Sequence, residues 1–300
     1  MKAKKNTKIS KVTPFKVICL IGLIIYCAFI FFLLYFMISM SFKSPFPGVN
    51  YYDKNVLGLP KIFDFTQYQV ALRNFKVTIE TAQRNVYLGE MLVYSVIYAV
   101  GCALVQTLSC MIVGYATGRF NMFFNKIIYG FVIIAMTLPL VGSTPSQISL
   151  MSAMGIYDTW FGIFVSRFYF ISVYYMVFSA TFSSIPKTYT EAAKIDGASN
   201  FTVMVRIIFP LVRVTFVTIF LLIFVACWND YSTPLLFLKS YPNVALGLYY
   251  VASRPSNIDR AGEPPVQMAA VTLSMIPVVI MFLLFRKQLI GNISMGGLKE

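Results

Sequence analysis

Long uncharged apolar runs are the feature that most constrains what this chain can fold into. Val17 to Met40, Met91 to Ala116 and Val266 to Phe285 contain no Asp, Glu, Lys or Arg. A helix needs about 20 apolar residues to cross the hydrocarbon layer of a bilayer, and each run is long enough. Over the whole chain 58% of the residues are hydrophobic and 12% are charged, whereas soluble domains have about 25% charged residues. The sequence therefore predicts a protein whose solvent is largely lipid.

Three further apolar segments complete the predicted topology. They are Ile127 to Gly142, Trp160 to Phe182 and Leu211 to Asn229, and the last two contain one charge each, Arg167 and Arg213. We therefore predict an all-α fold: a polytopic membrane protein with six transmembrane helices and both termini in the cytoplasm. A cleaved signal peptide is the alternative for the first run. It is disfavoured because the run is too long and no small-residue cleavage site follows it.

Positive charge supports this orientation, because cytoplasmic segments are enriched in Lys and Arg. The first run is preceded by six lysines, at positions 2, 4, 5, 8, 11 and 16. The loop at 41–90 also carries six Lys and Arg residues, but long loops are translocated with little regard to charge. The predicted organisation is a cytoplasmic N-terminus at 1–16, a first crossing at 17–40, an extracellular loop at 41–90, a core of crossings two to six at 91–285 with a cytoplasmic loop at 186–210, and a cytoplasmic tail at 286–300.

What the sequence lacks disfavours several functions. It has no histidine, the side chain most used for proton transfer and metal binding at neutral pH. Its five cysteines all lie in apolar runs without a CxxC pair, which favours small buried side chains over a disulfide or a metal site. The net charge of +14 is spread over segment ends, so topology explains it better than nucleic-acid binding. We predict no catalytic residue, no metal site and no nucleic-acid partner.

The loop at 186–210 has the pattern of two short helices joined by a turn. Glu191 falls in the first turn of the first helix, where the helix dipole favours a carboxylate, after a start at Pro186 and a cap from Thr188 or Thr190. Lys194 lies three residues further on and can pair with Glu191. Ala192 and Ala193 favour helix and allow a partner's backbone to approach closely.

A turn and a second helix follow. Gly197 comes after Asp196 at the chain reversal, where a positive φ favours glycine. Ser199 or Asn200 can cap the second helix, and Pro210 is expected to fix a bend where the fifth crossing begins. The apolar residues of this helix are expected to face the membrane: Phe201, Val203, Met204, Ile207 and Ile208. An ordinary connecting helix-turn-helix is the plainer alternative.

The loop resembles the EAA loop of ABC-importer permeases: Glu-Ala-Ala, three residues, Gly, nine residues, Ile-x-Leu-Pro. Glu191, Ala192, Ala193, Gly197, Ile207 and Pro210 match that pattern, and Phe209 replaces its Leu. From about Tyr94 to Lys299 the chain is similar to the carbohydrate-uptake permeases of the maltose and multiple-sugar type. Further matches are Gly114 to Phe120, Thr137 to Pro139, Gly155 to Thr159, Ala226 to Asp230 and Met268 to Ala270. Tyr94 and Asp158 stand where that family has Asn.

The resemblance implies a division of labour among subunits in a bacterial plasma membrane. This chain would pair with a second, homologous permease, and two ATP-binding subunits would each accept one coupling loop. An extracellular solute-binding protein would deliver a carbohydrate. ATP and Mg would be bound by the ATPase partners, so no cofactor is expected in this chain. The residues expected to contact the ATPase are Glu191, Ala192, Ala193, Lys194, Asp196, Gly197, Ile207 and Pro210.

Carbohydrate needs aromatic faces and hydrogen-bonding groups in a wet cavity at membrane depth. The candidates for this path are Tyr98, Gln106, Arg167, Tyr174, Asn229 and Asp230. Arg167 most needs an explanation among them, because a charge within the membrane is costly unless it is paired. It could pair with Asp230, line the path, contact the partner permease, or extend to the outer surface.

Three alternatives remain from the residues alone. A secondary transporter driven by an ion gradient would normally have buried acidic or histidine relays, and no Asp or Glu lies deep in any apolar run. A membrane-embedded enzyme would need a group of catalytic side chains that the sequence does not suggest. A purely structural membrane subunit is the third alternative.

Overall fold

The computed structural model describes residues 14–79, 83–120, 123–138, 142–253 and 262–295. Most of the predicted cytoplasmic N-terminus, the last five residues of the predicted tail and Pro139 lie outside these ranges. The helices are α1 Pro14–Ser41, α2 Thr66–Asn74, α3 Leu88–Arg119, α4 Asn125–Thr137, α5 Ser143–Ala153, α6 Trp160–Ser166, α7 Val173–Ser184, α8 Thr188–Ile195, α9 Asn200–Thr202, α10 Phe209–Trp228, α11 Ser232–Phe237, α12 Val244–Ser253 and α13 Pro264–Met295. A 3-10 turn spans Tyr52–Lys54, and a π-helical turn, Val203–Ile208, joins α9 to α10.

Four stretches within the described ranges are long and apolar enough to cross a membrane: Pro14–Ser41, Leu88–Arg119, Asn200–Trp228 and Pro264–Arg286. They correspond to the predicted first, second, fifth and sixth crossings. The predicted third crossing contains α4, which has 13 residues and a length of about 20 Å. The predicted fourth crossing is divided between α6 and α7. The mostly helical membrane fold is confirmed, while the count of six single helices is not.

The predicted fourth crossing is interrupted, and α3 contacts the break. α6 ends at Ser166, and α7 begins at Val173 after extended backbone at Ser172. Cys110 on α3 approaches both groups of the break, with its Sγ 3.9 Å from the Tyr169 carbonyl and 3.3 Å from the Ser172 hydroxyl. Non-helical backbone is tolerated at membrane depth only where protein or water satisfies it. Apolar composition alone could not reveal this break.

The loop at 41–90 contains a small hairpin, so the all-α prediction was wrong in this detail. Strand β1 (Lys76–Ile79) pairs antiparallel with β2 (Arg84–Tyr87), and Val77 lies opposite Val86. Ile79 and Val86 are buried in a cluster with residues of α2, α3, α12 and α13. Side chains that alternate between two faces suit a half-buried strand. The hairpin and α2 therefore close one end of the helical bundle.

α3 is the central element of the larger core. It packs against α7 on one side and α10 on the other. A Cβ at Gly114 would lie 2.7 Å from the Cβ of Phe178, and a Cβ at Gly118 would lie 2.7 Å from the Ser179 carbonyl oxygen. Small residues at helix interfaces let backbones approach closely in membranes. α1, in contrast, packs against α13 and is buried only at its last three residues, so most of its apolar surface is available to lipid.

Candidate coupling loop and buried polar network

The first helix of the loop, α8, begins two residues later than the sequence predicts. Lys187 is its N-terminal flanking residue, and no side chain caps it, so the predicted start at Pro186 and the predicted threonine caps were wrong. The Thr190 hydroxyl instead accepts a hydrogen bond from the Arg119 guanidinium. Arg119 also donates to the carbonyl oxygen of Ile185 at 2.6 Å. Because Arg119 is the last residue of α3, these bonds attach the loop to the end of the central helix.

The turn after α8 has the predicted left-handed glycine. Gly197 has a φ of +78°. Its N–H donates to the Lys194 carbonyl at 3.0 Å, and the Ala198 N–H donates to the Ala193 carbonyl at 2.9 Å. This pair of bonds is a Schellman motif, which satisfies the last carbonyl groups of a helix and needs a positive φ at the residue that follows it. The direction of the chain after α8 therefore depends on Gly197.

α8 presents a mixed charged and apolar surface to solvent. Ala193 is buried, whereas Glu191, Ala192, Lys194 and Asp196 are exposed. Within the described residues, Glu191 and Lys194 form no ion pair with each other, so both charges remain free of that predicted contact. Ile195 is the most exposed large apolar side chain of the helix, at 87%. We add Ile195 to the candidate docking residues. In the sequence, an apolar residue directly before the Asp-Gly turn could have indicated this exposed position.

The second helix begins as predicted but runs into the membrane differently. Ser199 caps it by accepting the Thr202 N–H at 3.2 Å. Pro210 lies in the first turn of α10, and the missing N–H of a proline interrupts α-helical bonding. The helix accommodates this by a π-helical turn, with the Phe209 N–H donating to the Met204 carbonyl. The predicted bend at Pro210 is therefore a widened turn within a continuous helix from 200 to 228.

The apolar face of this second helix is only partly as predicted. Val203 and Ile208 are buried, and Met204 and Ile207 are half-buried. Val203 and Ile208 therefore pack inside the protein core rather than against lipid. Phe201 is 74% exposed, and its contact with the membrane stays a prediction. Phe201 lies on the same loop as Ile195, and the two side chains leave apolar surface on either side of the Gly197 turn.

Three of the predicted path residues meet in one buried polar network. Arg167 Nη2 lies 3.0 Å from Asp230 Oδ2 and 2.8 Å from the Tyr98 hydroxyl oxygen. The Tyr98 hydroxyl donates to the same Asp230 oxygen at 2.8 Å. Arg167 also donates to the Thr233 hydroxyl at 3.1 Å. The network joins α3, the break between α6 and α7, and the junction of α10 with α11.

The network provides a partner for Arg167, whose role the sequence left open. The side chains of Arg167 and Asp230 are 19% and 18% exposed, and Asp230 Oδ1 accepts two more bonds, from the Thr233 N–H at 3.0 Å and the Ser232 hydroxyl at 2.9 Å. A charge pair largely removed from water is tolerated when further hydrogen bonds satisfy both partners. Of the four alternatives for Arg167, the structure shows pairing with Asp230.

The other predicted path residues do not join this network. The Gln106 amide donates to the Tyr169 hydroxyl at 2.9 Å, and Tyr174 packs half-buried against the core. Asn229 turns back to the carbonyl of Val225 in its own helix at 2.9 Å. Within the described ranges, no group of three or more His, Cys, Asp or Glu residues is placed to hold a metal ion.

Comparison with known proteins identifies the family of this chain. Residues 111–294, which include α8, the Gly197 turn and the whole polar network except Tyr98, match the family described as binding-protein-dependent transport system inner membrane component. The chain belongs to this family. It is therefore a membrane permease component of a transport system and not an enzyme, and such a system includes a substrate-binding protein and an ATPase besides its permeases.

Relatives of this permease span most of its length. It is 27% identical over 289 residues to the trehalose/maltose transport system permease protein of Thermococcus litoralis, covering 95% of this chain and 97% of the relative. It is 24% identical over 224 residues to the trehalose transport system permease protein of Mycobacterium tuberculosis, covering 72% and 80%. A chain of a bacterial ABC transporter that imports the acidic polysaccharide alginate has the same fold, with a TM-score of 0.75, 21% identity, and coverage of 91% of this permease and 95% of that chain.

Proposed function

We propose that this permease is one half of the membrane channel of an ATP-driven carbohydrate importer. The observation that carries the proposal is the loop built from α8, the Schellman turn at Gly197 and the continuous helix from 200 to 228. It supplies a rigid, exposed helix attached at both ends to buried helices. The names of the relatives, which refer to trehalose, maltose and alginate, support carbohydrate as the substrate class.

The proposed topology has six crossings with both termini in the cytoplasm. α4 with the segment that follows it forms the third crossing, and α6 with α7 forms the fourth as a discontinuous helix. This arrangement places the loops at 41–90 and 230–263 outside, and it places α8 and Arg119 inside. Broken helices at membrane depth recur in transporters at substrate sites, which is the setting of Arg167.

Force would reach the core by two routes. From the C-terminal end of α8, motion passes through the Gly197 turn and the π-helical turn into α10. From the N-terminal side of α8, it passes through the bonds of Arg119 to Ile185 and Thr190 into α3. Each of two ATPase subunits would grip one such loop, here and on a second, homologous permease. ATP and Mg would be bound by those subunits, and this chain would hold no cofactor.

The ATPase contact would be made by one exposed surface. The proposed coupling residues are Glu191, Ala192, Lys194, Asp196 and Ile195, with Ala193, Gly197, Ile207 and Pro210 supporting the shape of the loop. Charged groups on such a surface set orientation and rate of association, and apolar anchors supply affinity. Ile195 would be the anchor, because it is the large side chain that α8 leaves almost fully in solvent.

The proposed substrate path runs past the buried polar network. Sugar hydroxyls both donate and accept hydrogen bonds, so they can exchange with the bonds among Tyr98, Arg167 and Asp230 without leaving a charge unpaired. Gln106, Tyr174 and Asn229 remain weaker path candidates, because each is occupied by a local contact. An external solute-binding protein would deliver the sugar to the network from the outer side of the membrane.

The energy source tests the proposal against an ion-driven secondary transporter. The permease, its partner permease, the ATPase and the solute-binding protein would be reconstituted in proteoliposomes, with radiolabelled trehalose and maltose as probes. We expect uptake only with Mg-ATP on the ATPase side and no response to ionophores. Uptake that follows an imposed proton or sodium gradient and ignores ATP would reject the proposal.

A further inference from the structure

A second polar site lies away from the network, in a cleft between α3, α4 and α7. The cleft has a volume of about 340 Å³, well above what one water molecule requires. Its lining residues are Thr117, Asn125, Lys126, Tyr129, Gly130, Tyr175 and Ser179. None of them is among the residues that we assign to coupling or to the sugar path.

Two lining groups are buried polar atoms without a partner. Tyr175 is fully buried, yet its hydroxyl has no hydrogen-bond partner among the described residues. The Asn125 amide nitrogen donates to the carbonyl groups of Thr117 at 2.9 Å and Phe120 at 2.5 Å, while its oxygen is buried and unpartnered within the described part of the chain. Leaving such a group unsatisfied costs free energy. Both residues line the cleft, and both polar atoms lie beneath its surface with almost no exposure to water. A ligand with hydroxyl groups that reaches them would remove the cost of leaving them unpaired.

The cleft also offers a positive charge. Lys126 lines it, is exposed, and has no ion-pair partner in the parts of the chain described. Phe124 lies two residues before Lys126 and Ile127 directly after it, and both side chains are more than half exposed. A cation beside exposed apolar side chains is typical of a helix end at the membrane surface, where the ammonium meets lipid phosphate.

The position of the cleft suits a lipid headgroup. Thr117 lies two residues before the end of α3, which is about 3 Å along the helix axis, and Asn125 begins α4. The cleft therefore opens at the level where α3 leaves the membrane, the cytoplasmic side in the topology of the proposed function, on which this step rests. Ser179 lines it from α7 at the level of Thr117, with the two hydroxyl oxygens 3.3 Å apart. Tyr175 lies about one helical turn further towards the membrane interior.

We propose that this cleft binds a polyol phosphate, the headgroup of an anionic phospholipid of the phosphatidylglycerol type. The phosphate would contact the Lys126 ammonium. The glycerol hydroxyls would donate to Asn125 Oδ1 and exchange hydrogen bonds with the Tyr175 hydroxyl. Gly130 leaves the wall open, since a Cβ at this position would meet no atom within 4 Å. A bound lipid here would hold α4 against α3 and α7.

Native mass spectrometry of the purified full-length chain would test the site, with titration of phosphatidylglycerol and phosphatidylcholine of matched acyl chains. Lys126→Gln removes the charge, and Tyr175→Phe removes one hydroxyl. Gly130→Leu adds a side chain to the cleft wall, at a position where a Cβ would meet no atom within 4 Å. Lys187→Gln, an exposed cation outside the cleft, is the matched control. We expect phosphatidylglycerol to bind more tightly than phosphatidylcholine. We also expect each cleft variant to lower that affinity by about fivefold or more, as for the loss of a hydrogen bond or charge contact, and the control to leave it unchanged.

Tyr175→Phe is the sharpest variant, because an unpartnered hydroxyl that binds nothing should be lost without cost. Equal binding of the two lipids, or wild-type affinity in both Lys126→Gln and Tyr175→Phe, would overturn the proposal. Loss of binding in Lys126→Gln and Lys187→Gln alike would also overturn it, since general surface charge would then explain the effect. Glycerol 3-phosphate, tested alone, distinguishes the source: binding as tight as that of the lipid would reject a lipid ligand. These outcomes do not depend on transport, so the importer proposal can fail while this one stands, and the reverse.

Discussion

At the residue scale, Gly197 sets the direction of the chain after α8, and Arg167 and Asp230 form the ion pair of the polar network. Gly197 is in open space, since a Cβ there would meet no atom within 4 Å, so its requirement is conformational rather than steric. Arg167 and Asp230 illustrate the other case, in which the requirement is a partner. Each of these residues predicts a distinct consequence of substitution.

Replacing Gly197 by valine should strain the turn. A β-branched residue with a φ near +78° costs on the order of 1–3 kcal/mol. We expect a lower melting temperature of the purified chain and weaker association with the ATPase. Gly89→Val is the control, because Gly89 lies near the start of α3 with no atom within 4 Å of an added Cβ and no positive φ. A Gly197→Val variant as stable as the wild type, with full transport, would contradict a special role for this glycine.

Replacing Arg167 by glutamine should destabilise the chain, because it leaves the Asp230 carboxylate partly buried without its cation. Loss of one partner of a fully buried pair costs about 3–5 kcal/mol, and the 18–19% exposure of these side chains reduces that figure. The double variant Arg167→Gln with Asp230→Asn should recover part of the loss. Thermal unfolding of the single and double variants measures the coupling between the two sites. Additive effects would show that the pair contributes no mutual stabilisation.

At the element scale, the loop functions as one unit because helix, turn and second helix are each closed by their own bonds. α8 ends in the Schellman motif, Ser199 caps the following helix, and the π-helical turn absorbs Pro210. Little backbone is left free to flex between the exposed face of α8 and the buried part of α10. A displacement of α8 would therefore move α10 rather than deform the loop.

Glu191→Lys should uncouple transport without unfolding the chain. Glu191 is exposed and forms no ion pair among the described residues, so its reversal should cost little stability. At a docking surface, however, it places a positive charge where the ATPase would meet a negative one. We expect uptake to fall by about tenfold or more, equivalent to about 1.4 kcal/mol, with an unchanged melting temperature. Asp53→Lys, an exposed residue of the loop at 41–90 that forms no ion pair among the described residues, is the matched reversal. It should leave ATPase contact intact, judged by copurification.

Ile195→Ser separates the apolar anchor from the charges of the loop. Ile195 is 87% exposed, so the free chain should lose almost no stability. Affinity for the ATPase should fall, because buried apolar side chains at an interface supply binding energy. Pull-down of the ATPase by the variant measures this, with Val205→Ser as an exposed apolar control on the π-helical turn. Equal losses in the two variants would mean that Ile195 has no special place in the contact.

At the scale of the whole molecule, function depends on which ends of the bundle face which compartment. α8 and the end of α3 lie at one end, where Arg119 joins them. The hairpin, α2 and α12 lie together in a separate cluster with residues at the start of α3. Because α3 is 32 residues long, or about 48 Å, these two groups are separated by more than the thickness of a hydrocarbon layer.

Cysteine labelling tests this sidedness. In a background with all five native cysteines replaced by serine, Ser199→Cys and Asn85→Cys place single thiols on the loop and on the hairpin. We expect a membrane-impermeant maleimide added to intact cells to label Asn85→Cys alone. After permeabilisation, it should label both. Labelling of Ser199→Cys in intact cells would reverse the proposed topology.

The sequence by itself determined the membrane class, the position of the long crossings, and the loop with its left-handed glycine and a helix cap from Ser199 or Asn200. These features depend on composition and on local backbone rules, which a linear pattern carries. The tertiary structure alone decided the break between α6 and α7, the pairing of Arg167 with Asp230, the π-helical turn at Pro210 and the attachment of Arg119 to the loop. Each of these depends on a partner 59 or more residues away or on bonding that local apolar content does not encode. Apolar runs look alike whether or not a distant side chain contacts them.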